Sequence, residues 1–165
     1  MTDKDIVVTI RRPSVPWCST PVLMDQLVQN ACGAYGKATS EDNLHVSEYH
    51  ALYEALPPAV SYTEDGPAQL LVLIIDDQSD EIFRQSERLA AFAEKNCIVL
   101  VATTWVMGRR AYAEFLRRNE INRQKGQPGR ISVVLKDNLV NIGNNWTVAR
   151  TLVNEWLLAI GAPAL

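Results

Sequence analysis

The sequence predicts a three-layer α/β/α domain built on a mostly parallel sheet of four or five strands. Three observations carry that expectation. Residues 70 to 75 are six consecutive aliphatic residues running straight into Asp76 and Asp77, the pattern of a strand buried on both faces. Two further apolar runs, 97 to 104 and 131 to 135, follow it in the chain. Segments of helical length and amphipathic spacing separate these runs, which calls for right-handed βαβ crossovers and therefore parallel strands.

Taken in order, residues 6 to 10 form a short β-branched run that reads as a first strand, closed by Arg11, Arg12 and Pro13. Pro21 suits the first turn of a helix, and Leu23, Leu27, Val28, Ala31, Ala34 and Tyr35 continue it at helical spacing toward Gly33 and Gly36. Residues 37 to 44 are polar and read as a loop, so the second strand is weak or missing there. Val46, Tyr49, Leu52, Tyr53 and Leu56 repeat the helical spacing, and Pro57-Pro58 ends that helix. Residues 59 to 69 are broken by Gly66, Pro67 and acids.

After the strand at 70 to 75, Ser79 or Asp80 caps a helix whose apolar stripe is Ile82, Phe83, Leu89, Ala90, Phe92 and Ala93. A helix from about Met107 to Gln124 buries Tyr112, Phe115 and Leu116, and residues 126 to 129 turn into the strand at 131 to 135. The last helix runs from Trp146 to Ile160 with Val148, Leu152, Val153, Trp156 and Leu157 inward.

A chain of 165 residues with 47% hydrophobic and 21% charged residues fits one domain, residues 1 to 165, with a substantial core. No run reaches membrane-spanning length and the N-terminus has no secretory pattern, so a cytoplasmic protein without membrane association is expected. Three widely spaced cysteines, Cys18, Cys32 and Cys97, fit a reducing compartment rather than a disulfide framework. Neither they nor His45 and His50, five apart, have metal-ligand spacing. There is no glycine-rich phosphate loop and no nucleophile elbow, so no cofactor and no catalytic residue are assigned.

The net charge of −3 conceals a polarity along the chain. Residues 38 to 83 carry ten acids and no Lys or Arg, whereas residues 108 to 130 carry seven basic residues against two acids. Arg109, Arg110, Arg117, Arg118 and Arg123 on the helix from 107 are therefore candidate partner-binding residues, suited to carboxylates or phosphates. The acidic whole, with a pI near 5.4, makes nucleic acid a less fitting partner than an acidic protein surface or a second copy of the chain.

Asp76 and Asp77 at one strand end, Thr103 and Thr104 at the next and Lys136 after the third would form one polar rim if those strands are neighbours. In element order and in these residues the chain resembles the receiver domain of two-component response regulators, a flavodoxin-like fold. The resemblance implies Asp76 as phosphoacceptor, Thr103 or Thr104 as the phosphoryl-contacting hydroxyl and Lys136 as the lysine ending the fifth strand. Two departures stand out: Arg11 and Arg12 occupy the place of the acidic pair that holds Mg²⁺ in that family, and Asp137, not proline, follows Lys136. A degenerate, non-phosphorylated receiver-like domain is the version the residues suit. Trp105 and Glu114 also resemble the tryptophan and glutamate that follow the fourth strand of TIR-like domains, which would imply NAD handling.

The leading functional expectation is a non-enzymatic regulatory or assembly module that binds a protein partner, or itself, through segregated acidic and basic surfaces. The competing expectation is a small enzyme or ligand sensor whose nucleotide or other anionic ligand sits on the strand-end rim.

Overall fold

Strand β3 (Gln69–Ile75) lies at the centre of the molecule with all seven residues buried, as its unbroken aliphatic run requires. The computed structural model describes residues 6–14, 21–50, 67–76, 81–103, 105–124, 131–135 and 142–165. Around β3 stand β1 (Val7–Pro13), β2 (Leu44–Tyr49), β4 (Cys97–Ala102) and β5 (Ile131–Leu135) in one all-parallel sheet of order β2-β1-β3-β4-β5. That order is the one flavodoxin-like doubly wound sheets have. The helices are α1 (Pro21–Tyr35), α2 (Glu81–Arg84), α3 (Ser86–Phe92), α4 (Trp105–Gln124) and α5 (Ile142–Ala159).

Alternation along β3 divides the core in two. Leu70, Val72 and Ile74 pack with Met24, Leu27 and Ala31 of α1 and with Ala149, Val153 and Trp156 of α5. Leu71, Leu73 and Ile75 pack on the other face with Leu89 and Phe92 of α3 and Ala111 and Phe115 of α4. The three layers expected from the sequence are therefore present, and no helix among the described residues is long and apolar enough to cross a membrane.

Several boundaries differ from the sequence expectation. The helix expected from Val46 is instead β2, which pairs with β1 from Val8↔Leu44 to Pro13↔Tyr49. Val46 and Tyr49 satisfy a helical spacing of three, but β2 is an edge strand and needs few apolar residues to be held. Its anchor is Tyr49, buried, whose hydroxyl donates to the Ile74 carbonyl at 2.6 Å. Residues 51–66 lie outside the described residues.

β1 also runs past Ile10 through Arg11, Arg12 and Pro13, because both arginines find partners within the fold. The helix expected after β3 is interrupted by a turn at Gln85, giving α2 and α3.

Two buried asparagines fix strand starts at the amino edge of the sheet. Asn96 Oδ1 accepts from the Gln69 amide at 2.9 Å, and Asn119 Nδ2 donates to the Ile131 carbonyl at 2.7 Å while its Oδ1 accepts from the Ile131 amide at 3.4 Å. Each side chain stands in for a missing strand neighbour.

Tyr35, at the end of α1, is fully buried, and burial pushes its hydroxyl well above the ordinary tyrosine range, with Cys97 adding to the effect and Arg150 opposing it. Above about pH 10 the unfolded chain gives up this proton while the folded chain keeps it, so the native state loses up to about 1.4 kcal/mol per pH unit from this group. Below that pH the contribution is fully present. Urea titrations of Tyr35→Phe between pH 9 and 11 are expected to show a shallower decline than the wild type; parallel declines would contradict the assignment.

Candidate functional site

The carboxyl edge of the sheet, between β1 and β3, is where the fold concentrates buried polar groups. These neighbouring strands lead to helices on opposite faces, α1 in one core cluster and α3 in the other, so the strand order reverses there, the position at which open α/β sheets take their ligands.

On β1 the buried row Ile6, Val8 and Ile10 continues to Arg12, which is 9% exposed. A strand's two-residue period thus carries a cation along an apolar face to its end. Arg12 Nη1 donates to Asp25 Oδ1 on α1, forming an ion pair with very unequal members: the Arg12 side chain is 11% exposed and that of Asp25 66%. Arg11, on the opposite row, donates through Nη2 to the Glu48 carbonyl on β2 at 3.3 Å. Ser14, 1% exposed, donates its backbone amide to the Tyr49 carbonyl at 3.0 Å.

On β3 the row Leu70, Val72 and Ile74 ends in Asp76, 1% exposed. On β4 the row Cys97, Val99 and Val101 ends in Thr103, also buried. The register Ile75↔Ala102 brings these two strand ends level, and the Thr103 hydroxyl donates to Asp76 Oδ1 at 3.0 Å while the Thr103 amide donates to the Ile75 carbonyl at 3.0 Å. Arg12, Ser14, Asp76 and Thr103 are all buried at the carboxyl ends of β1, β3 and β4. The edge therefore offers a cationic fork, a carboxylate acceptor and a hydroxyl, which suits a ligand with one anionic group and hydroxyl or amine donors.

Of the rim expected from the sequence, Asp76 and Thr103 meet as strand ends. Asp77, Thr104 and Lys136 lie outside the described residues, as do Trp17 and Cys18. His45 and His50 are exposed, and no group of three or more His, Cys, Asp or Glu able to hold a metal occurs among the described residues. Sequence reading missed Arg12, Ser14 and Asp25 as members of this edge. The missed signal is the period of two in β1: extended from Ile6 by three steps, it reaches Arg12.

The basic helix is α4. Arg110 is exposed and its guanidinium sits over the Phe83 ring of α2, 4.4 Å from the centroid; Arg117 is exposed and its Nη2 lies 3.4 Å from Glu114 Oε2. Arg109, Arg118 and Arg123 are placed on α4 by its backbone. Both described guanidinium groups thus have partners within the chain, so α4 is less plainly a free cationic face than its composition suggests.

No family model, curated protein or solved structure matches the chain.

Proposed function

We propose that this domain is a ligand-binding regulatory module that takes a small anionic ligand of the nucleotide type at the carboxyl edge of its sheet, over β1 and β3. The observation that carries this reading is the burial of two ionisable residues, Arg12 and Asp76, on the same sheet face at a point where the strand order reverses. Purely structural polar residues elsewhere in this core, Asn96 and Asn119, are neutral amides bonded to backbone. Ionisable groups cost more to bury than such amides, and they concentrate at ligand sites.

In this reading Arg12 meets the anionic group, and Asp76 accepts from a sugar-type hydroxyl with Thr103 holding the carboxylate in place. Arg11 and Arg12 stand where a receiver domain has its acidic pair, which favours binding of an anion over Mg²⁺-dependent phosphorylation of Asp76. A ligand at one hundred times its dissociation constant adds about 2.7 kcal/mol to stability. For a chain of this size that corresponds to a rise in melting temperature of roughly 5 to 10 °C. A thermal-shift series with ADP, NAD and pyrophosphate is expected to show such a rise for the wild type, and for Asp76→Asn a blunted rise with the two nucleotides but not with pyrophosphate. Equal curves with and without every probe would remove the proposal.

A further inference from the structure

The geometry points to Arg12 as the anion-recognising group of this edge and to Asp25 as a built-in stand-in for the ligand's anionic group, so that ligand binding is a competition for one guanidinium. The inference rests on the proposed ligand site and deepens it.

The two members of the pair differ in how firmly the fold holds them. Arg12 belongs to β1, and its side chain is 11% exposed at the end of the row Ile6, Val8 and Ile10. Asp25 reaches it from the outer side of α1 with a side chain 66% exposed. Met24 and Leu27, on either side of Asp25 in α1, are buried in the core cluster that contains Val8 and Ile10. The helix is therefore fixed while the carboxylate is solvated, and only a side-chain rotation separates the paired from the released state. Losing a counter-charge is costly for a buried guanidinium, so Asp25 holds Arg12 until another anion replaces it. A phosphate or carboxylate arriving at the carboxyl edge offers the guanidinium an anionic oxygen in place of Asp25 Oδ1, with a second oxygen for the rest of the fork, and it frees Asp25 to water.

Such a device sets a threshold. The apparent affinity for an anion is reduced by the fraction of molecules in which Asp25 is away from Arg12, and removing the Asp25 charge removes that reduction. Ligands that lack an anionic group gain nothing from the exchange.

Isothermal titration of the full chain with pyrophosphate and with ADP tests the competition. Asp25→Asn, a change at an exposed position, is expected to bind both probes about tenfold more tightly than the wild type, as for a pair formed nine times in ten. Arg12→Gln, checked for native circular dichroism, is expected to lose detectable binding, and the Asp25→Asn/Arg12→Gln double variant to behave like Arg12→Gln. Wild-type binding that is unchanged in Asp25→Asn, or a double variant that binds like Asp25→Asn, would overturn the competition while leaving the ligand site standing. No heat from any variant with either probe would instead overturn the ligand site itself, and the competition with it.

Discussion

Replacing Trp156 with alanine is expected to cost the domain about 3 to 5 kcal/mol, a large part of the 5 to 15 kcal/mol that ordinary domains have in total. Trp156 is 1% exposed and fills the core between α5 and the sheet, alongside Val153 and Leu157. Its indole Nε1 donates to the Lys95 carbonyl at 3.1 Å, so the ring also ties α5 to the turn that precedes β4. Alanine removes the ring, leaves a cavity in a layer that rigid strands cannot collapse to fill, and leaves the Lys95 carbonyl without its indole donor. Phenylalanine keeps most of the packing and loses the hydrogen bond, and is expected to cost less than half as much. Equilibrium urea unfolding followed by far-ultraviolet dichroism reads both values. A loss below about 1 kcal/mol for Trp156→Ala would show that this layer is not where the stability lies.

Changing Asn119 to leucine is the second large expected effect, and it works through polar groups rather than volume. Leucine nearly matches asparagine in shape but offers nothing to Ile131, whose amide and carbonyl both bond to Asn119 at the buried start of β5. Each buried group left unpaired costs about 1 to 3 kcal/mol, so a loss of about 2 to 6 kcal/mol is expected for the two together. The damage should be local at first, loosening β5 from α4 at the edge of the sheet. Hydrogen exchange at the Ile131 amide is the direct readout: protection there as strong as in the wild type would contradict the bonding described.

How much of this was legible in the sequence varies with how much of each element is buried. β3, β4 and β5 were readable to within two residues because strands with two sheet neighbours, or with helices over both faces, must be apolar almost throughout. β5 in particular spans Ile131–Leu135, as its composition indicates. α1 and α5 were readable for a related reason: each buries one stripe, and Leu27, Ala31 and Tyr35, or Val153, Trp156 and Leu157, recur at the helical period. β2 was misread as helix because an edge strand is held mainly by backbone bonds to one neighbour, which leave no mark in side-chain pattern.

The candidate site was half legible. Asp76 and Thr103 follow apolar runs directly, and that position alone marks them as strand ends on a common rim. Arg12 was hidden because a charge after a short apolar run reads as an exit from the sheet, and nothing local to residues 11 to 13 announces that a carboxylate thirteen residues on will pair with it.

By itself, then, the sequence determined the layer architecture, the buried strand at 70 to 75, the helices α1, α4 and α5, and Asp76 and Thr103 as strand ends. These follow from periodicity and burial, which are local properties of the chain. Only the tertiary structure decided that β2 is a strand, that β1 continues through two arginines, and that Arg12 lies buried beside the outward-reaching Asp25. The physical reason is that the free energy of a buried charge depends on its partner's position, and partners far apart in sequence are brought together by the packing of the layers alone.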